Sequence, residues 1–205
     1  MSTASRAWLL SLAAVALAAV PLAAQPARAP DPPKPSLDNA QARGPADAPL
    51  VIVEFTDLSC EPCAAASVVL DVVFDVHPGK IRHLFRHLPG RGTKTEGEPP
   101  PEAILAHQAA LAAGEQGKFW DMRALLFANQ DRLTRADMSG MARQLELDVA
   151  KFDADLDSGR LALVLEQDAA EAKRLGVAQA PVFYVNGERL SQTPTRTEWE
   201  GRIAK

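Results

Sequence analysis

Cysteine is scarce in this chain of 205 residues. Only Cys60 and Cys63 occur, too few for the multiple disulfides that staple small secreted scaffolds. A positive charge excess is missing as well: 22 lysines and arginines face 26 aspartates and glutamates, a formal net charge of -4, which offers no basic field for tracking phosphates. Nucleic-acid binding is therefore not expected. No internal repeat is present. What remains is of ordinary globular make-up, with 47% hydrophobic and 23% charged residues, enough for one compact core and incompatible with a fibrous or wholly disordered chain.

A long hydrophobic run occurs only near the start. Arg6 precedes an apolar stretch over residues 8–20, and Pro21 with small residues leads to Leu22-Ala23-Ala24, the layout of a secretory signal peptide over residues 1–24. Cleavage is expected after Ala24, with Ala27-Arg28-Ala29 as a second candidate. The mature chain is then extracytoplasmic, in the periplasm or an equivalent compartment; the alternative is an uncleaved membrane anchor. No cysteine follows the run, so lipoprotein attachment is not expected. Residues 25–49 carry Pro26, Pro30, Pro32, Pro33, Pro35, Pro45 and Pro49 in a polar, alanine-rich setting. They read as a linker that can neither continue a helix nor pair well in a sheet.

The run Leu50-Val51-Ile52-Val53-Glu54-Phe55-Thr56 has the β-branched character and length of a buried strand, with Glu54 as its one charge. Asp57-Leu58-Ser59 makes a turn. From Cys60 onward Val68, Val69, Val72, Val73 and Val76 recur at helical spacing until Pro78-Gly79, which sets both cysteines at a helix N-terminus. Ile81, Leu84 and Phe85 mark a second strand over residues 81–88, interleaved with His83, Arg86 and His87. Beyond a polar loop over residues 91–101 the period changes to 3.6. Ile104, Gln108, Leu111 and Ala112 form one stripe, Phe119, Met122 and Leu126 another, and Met138, Met141 and Leu145 a third opened by a Thr134 and Asp137 capping box. Asp148 caps a turn carrying Phe152 and Leu156, and Leu161, Leu165, Ala169 and Ala172 mark a longer helix stopped at Gly176. Residues 182–185 read as a strand, Asn186-Gly187 as a hairpin turn into Glu188-Arg189-Leu190, and residues 195–204, with Trp199 and Ile203, as a closing helix. The order is α/β: a domain formed by residues 50–90 and 176–205, with an all-helical insertion over residues 102–175.

The cysteine pair permits definite chemistry. A thiolate is the nucleophile in thiol-disulfide exchange, and the free N–H groups and dipole of a helix start stabilise that anion, which makes Cys60 the attacking sulfur. Cys63, one turn on along the same face, can resolve a mixed disulfide by attacking Cys60. Glu61 adds negative charge beside the thiolate and opposes the dipole, while Pro62 is tolerated in a first turn. Glu54 reads as a buried proton acceptor beneath the pair or as a charge at a strand edge. Pro181 opens a strand behind a small-residue loop, where a cis peptide would present the Ala180 backbone beside the cysteines; a trans edge proline is the alternative. Two plainer readings of the pair are half of a zinc site and an inert structural disulfide. No second C-x-x-C exists, and His77, His83, His87 and His107 have no ligand spacing with it, so no metal is expected. Each histidine reads as a surface or satisfied residue rather than a catalyst.

These residues resemble a known family. Gly44-Pro45-Ala46-Asp47-Ala48-Pro49, then Val53-Glu54-Phe55-Thr56-Asp57 running into Cys60-Glu61-Pro62-Cys63, are similar to the DsbA-like thiol-disulfide oxidoreductases. Gln116-Gly117-Lys118-Phe119-Trp120-Asp121-Met122 resembles that family's helical-domain signature, and Gly176-Val177-Ala178-Gln179-Ala180-Pro181 with Val185-Asn186-Gly187 its cis-proline loop and hairpin. The resemblance covers residue 44 to the end. It implies a thioredoxin fold with an inserted helical domain, a cis Pro181, Cys60 as nucleophile, Cys63 as resolving thiol and Glu54 as the acidic residue six positions earlier. It further implies cysteine-containing protein substrates, a membrane redox partner for reoxidation and no cofactor. Two departures bear on redox poise: Glu61 precedes Pro62 where the family often has proline first, and Ala180 replaces the usual threonine or valine. A carboxylate beside the thiolate predicts a weaker oxidant than the family's strongest members. Disulfide formation is the expected activity. A reductase or isomerase on the same fold is the first alternative, and a chaperone-like binding protein or a soft-metal carrier the remoter ones.

Overall fold

A β-branched run such as residues 50–56 needs cover on both faces. The computed structural model, which describes residues 32–90 and 98–204, places it at the centre of a five-stranded sheet. The strands β1 (Gln41–Arg43), β2 (Leu50–Thr56), β3 (Ile81–His87), β4 (Val182–Val185) and β5 (Glu188–Arg189) lie in the order β1-β3-β2-β4-β5. β2 and β3 are parallel and are joined by α1 (Glu61–Val76), whereas β1, β4 and β5 run antiparallel to their neighbours. Asn186 at φ 49° and Gly187 at φ 85° supply the positive φ values that a two-residue hairpin requires between β4 and β5.

Side-chain alternation divides the sheet into two packed faces. Leu50 and Ile52 of β2 pack with Leu70 and Val73 of α1 and with Trp199 of α7 (Arg196–Ile203). Each such buried apolar side chain contributes about 1.5–3 kcal/mol by leaving water. Val53, Phe55, Leu84 and Tyr184 face the other way, against Ala172 and Leu175. Between β3 and β4 the described residues form α2 (Pro101–Gly114), α3 (Phe119–Ala128), α4 (Arg135–Gln144), α5 (Val149–Asp157) and α6 (Ala162–Arg174). These helices share a core that Leu58 and Phe85 tie to the C-terminal ends of β2 and β3. α6 contributes to two cores, Leu165 to the helical one and Ala172 to the sheet. Among the described residues no helix is long and apolar enough to cross a membrane.

Several local expectations meet corrections. The proposed signal peptide, residues 1–24, and the start of the proline-rich segment lie outside the described residues, as does most of the polar loop. Within the segment read as a linker, Gln41–Arg43 pair with β3, because that strand otherwise offers an unpaired edge. The backbone ahead of β1 is also held, with Ser36 O and Asp38 O accepting from Arg86 Nη2 at 2.9 and 2.6 Å. On α1 the valine stripe divides: Val73 is buried and Val69 half-buried, whereas Val68, Val72 and Val76 are exposed, and Cys63, Ala66, Ser67 and Leu70 complete the inward face. Small residues there let the helix lie close to the sheet. α2 is buried on nearly all sides, chiefly by alanines and His107, so of its expected stripe Leu111 and Ala112 are buried while Ile104 and Gln108 are only half-buried. On α6, Ala169 is exposed and Asp168 is buried instead. The Thr134 and Asp137 capping box and the Asp148 cap form as the sequence predicts.

Candidate functional site

The site starts where β2 ends. Ser59 N–H and Ser59 Oγ both donate to Asp57 Oδ1, at 2.9 and 2.7 Å, and Cys60 N–H donates to Asp57 O at 3.2 Å. Such an aspartate-closed turn reverses the chain at little cost and delivers Cys60 to the N-cap of α1. There Cys63 N–H donates to Cys60 Sγ at 3.2 Å, so the sulfur occupies the place of a capping oxygen. Cys60 and Cys63 are joined as a disulfide with their Cα atoms 5.2 Å apart. Cys60 keeps 1% exposure and Cys63 none. Glu61 and Pro62 are exposed in the first helical turn, where the missing N–H of Pro62 costs no helical bond.

The Ala180–Pro181 peptide is cis. β4 runs antiparallel to β2 with Val182 opposite Phe55, which carries Pro181 and the turn that bears Cys60 to the same end of the sheet. Cys60, Cys63 and Pro181 thus assemble from segments far apart in sequence. A cavity of 540 Å³ is lined by Leu88, Ala172, Val177 and neighbouring residues of α6 and the segment after it, and by neither cysteine nor Pro181.

Glu54 is fully buried, two residues before the end of β2, and its hydrogen bonds run to a charged cluster. Oε2 accepts from His83 Nε2 at 2.8 Å and from Arg123 Nη2 at 3.4 Å, while Oε1 has no partner. Arg123 Nη1 also donates to Asp71 Oδ2 at 3.0 Å, and Asp71 pairs with Arg43, whose guanidinium lies between the Phe74 and Trp120 rings at 4.2 and 4.4 Å. Burial alone would raise the Glu54 carboxyl, but the Arg123 charge and the His83 hydrogen bond outweigh it and hold the group below the usual carboxylate range. His83 is the complementary case. Its Nδ1 accepts from Arg43 Nε at 3.2 Å and its Nε2 faces Glu54, which is the pattern of a neutral ring, and burial pushes its pKa down to about 4 despite the adjacent carboxylate.

A second buried group stands behind the turn. His87 Nδ1 and His107 Nδ1 are 2.8 Å apart, and His107 Nε2 accepts from Leu58 N–H at 3.1 Å. Burial first, then the neighbouring charges, lowers His87 well below an ordinary histidine. On the opposite face Asp168 accepts from Arg86 Nη1 and His87 N–H, each at 2.7 Å.

The sequence reading missed these groups. His83, His87 and His107 read as surface or satisfied residues with no partner named; they are the buried, hydrogen-bonded kind, at 0%, 1% and 0% exposure. One signal was available: alternation along β3 places His83 and His87 on the same face as the apolar Ile81 and Phe85. Arg123 carried no such signal, since a single arginine in an amphipathic helix ordinarily faces water. Among the described residues no group of three or more histidine, cysteine or acidic side chains is arranged to hold a metal ion.

The sequence family described as Thioredoxin matches residues 37–205. Among solved structures, BdbD from Bacillus subtilis, in its oxidised form, superposes with a TM-score of 0.69 at 20% identity, over 84% of this chain and 95% of that one. A thioredoxin-like oxidoreductase from Silicibacter pomeroyi DSS-3 superposes with a TM-score of 0.68 at 23% identity, over 82% and 91%. Both have the fold of this chain. A curated relative, the Na(+)/H(+) antiporter NhaA 1 of Salinispora arenicola, is 38% identical over 153 residues, which are 74% of this chain and 22% of that protein, so the chain spans about a fifth of the relative's length. Because the family match takes in the sheet, α1 and the whole helical insertion, far beyond the cysteine pair alone, the chain belongs to the thioredoxin family.

Proposed function

We propose that the protein is an exported thiol-disulfide oxidoreductase that forms disulfides in cysteine-containing proteins. The observation that carries this reading is the Cys60–Cys63 disulfide at the N-cap of α1, with the Cys63 N–H directed at Cys60 Sγ. In the proposed cycle a substrate thiolate attacks Cys60 Sγ, the bond to Cys63 breaks, and Cys63 leaves as a thiolate that takes up a proton. The second substrate thiolate then attacks the substrate sulfur of the mixed disulfide and releases the Cys60 thiolate. The substrate loses two electrons and the protein gains them. Cys60 suits the attacked position because it sits at the N-cap of α1, where the helix start stabilises its thiolate.

The other assignments follow from this cycle. Ala180 and Pro181 offer backbone to an extended substrate at the same end of the sheet, and the unpartnered Glu54 Oε1 is available to exchange a proton with Cys63. Glu61 and Pro62 tune the pair from the first turn of α1. Reoxidation falls to a membrane redox partner. The fold shared with BdbD from Bacillus subtilis and with the Silicibacter pomeroyi oxidoreductase supports this reading.

The test is oxidation of a reduced peptide carrying two cysteines. With oxidised glutathione as terminal oxidant, catalytic loss of peptide thiols is expected from the parent and none from Cys60→Ser, and when the peptide is supplied in its disulfide form Cys63→Ser is expected to be trapped as a mixed disulfide through Cys60. A protein whose disulfide equilibrates with glutathione but only reduces peptide disulfides would replace the oxidase reading with a reductase.

A further inference from the structure

The turn that carries Cys60 is gripped from outside the sheet. Leu58 N–H donates to His107 Nε2 of α2 at 3.1 Å, and the Gln130 side-chain amide, two residues past α3, donates to Leu58 O at 3.0 Å and to Cys60 O at 2.9 Å. Three backbone groups within residues 58–60 are therefore bonded by two side chains of the helical insertion. His107 is itself fixed. With the Leu58 N–H aimed at Nε2, the ring proton sits on Nδ1 and is donated to His87 Nδ1 at 2.8 Å. Asp57 Oδ1 lies 3.5 Å from the same Nε2, a longer approach to an atom whose lone pair Leu58 already uses. Both rings are buried against Phe85, and His87 also meets Phe119 edge-on, so the acceptor has one orientation.

We propose that His107 and Gln130 are positioning residues for the reactive sulfur: by holding the backbone of residues 58–60 against the insertion, they keep Cys60 Sγ at the start of α1 within reach of the Cys63 N–H. For its consequence in exchange the inference rests on the oxidoreductase reading. A hydrogen bond to a thiolate weakens steeply with distance and angle. If the turn slips, the thiolate loses stabilisation, the thiol pKa rises, and the reduced form becomes less favoured relative to the disulfide. The insertion, which contributes neither cysteine, thus acts on the redox poise of the pair.

The test measures Cys60 directly. In a Cys63→Ala background the ultraviolet absorbance of the thiolate, followed against pH, reports Cys60 alone, and the intact pair is equilibrated with glutathione. Gln130→Leu, at a half-buried position, removes both donated bonds at similar volume. The expected result is a Cys60 pKa higher by about half to one pH unit and a glutathione equilibrium displaced about threefold to tenfold toward the disulfide. His107→Asn keeps a donor toward His87 but loses the acceptor for Leu58 and shifts the same way, whereas His107→Gln, whose amide oxygen reaches the Nε2 position, returns toward the parent. Asn129→Ala is the control for plain destabilisation, since that amide bonds Leu125 O within its own helix end. It lowers stability and leaves the Cys60 pKa in place. A Gln130→Leu protein with the parent's Cys60 pKa overturns the proposal, even where the histidine variants do not fold. A parent that never equilibrates with glutathione would sink the oxidoreductase reading instead, and the pKa comparison would still decide the role of the clamp.

Discussion

Acidification will destabilise the oxidised protein through His83. The ring is fully buried, and both nitrogens are committed to a neutral form: Nδ1 accepts from Arg43 Nε, and Nε2 donates to Glu54 Oε2. A second proton would set an N–H against the guanidinium of Arg43. Unfolding frees the ring to bind that proton at its ordinary pKa of 6.5, whereas the folded protein holds it off until about 4. Between those values the unfolded chain binds more protons, so stability is complete above pH 6.5 and is lost as the pH falls. At roughly 1.4 kcal/mol per pH unit, the loss is about 2 kcal/mol by pH 5 and about 3 kcal/mol by pH 4, a substantial part of the roughly 5–15 kcal/mol that holds a typical domain folded. His87 adds to the loss in the same direction. His83→Gln, whose amide offers one donor and one acceptor but does not titrate, isolates the His83 share. Urea unfolding of parent and variant at a series of pH values, each read as a midpoint and slope, gives the two stability curves. The parent is expected to lose about 2 kcal/mol more than the variant between about pH 7 and pH 5, where Glu54 stays ionised. Parallel curves would refute the argument, because they would mean that the folded ring accepts its proton as easily as the unfolded one.

Further perturbations test the same physical picture. Arg123→Met leaves Glu54 buried with only His83 beside it; the expected cost is about 3–5 kcal/mol in urea unfolding, and a loss below about 1 kcal/mol would show that the pairing is dispensable. Glu61→Gln removes an exposed carboxylate from the first turn of α1, so the Cys60 pKa should fall by about half a unit and the reduction potential rise by about 15 mV, measured against glutathione. A potential unmoved by that change would mean that Glu61 points away from the sulfur. Asp168→Ala leaves the buried Arg86 charge without its carboxylate and the His87 N–H without an acceptor, and an expected loss of about 3–5 kcal/mol is again read by urea unfolding.

Sequence legibility followed the range of each interaction. The helix that begins at Cys60, the capping box of α4, the Asp148 cap of α5 and the Asn186-Gly187 hairpin are all formed by residues within a few positions of one another, and each was readable from its own few letters. The valine spacing of α1 marks the helix but not which valines it buries. Val69 and Val73 meet the core, whereas Val68 and Val72 fall outside the face shared by Ala66 and Ser67, which the sheet covers. The linker reading failed at Gln41–Arg43 for a similar reason: a short polar segment pairs because a neighbouring strand has an open edge, a property of the sheet and not of the segment.

The sequence by itself determined the C-x-x-C pair, its place at a helix start and the strand and helix order from β2 onward, since these depend on local spacing and on amphipathic period. Only the tertiary structure decided what surrounds the pair. Glu54 meets Arg123 across 69 positions, Leu58 meets His107 across 49, and Arg86 meets Asp168 across 82. A charged or titratable side chain in an otherwise apolar element, Arg123 for example, has no fixed place until its partner is known. Burial without a partner costs several kcal/mol, and it is the fold that brings the partner close enough to offset that cost.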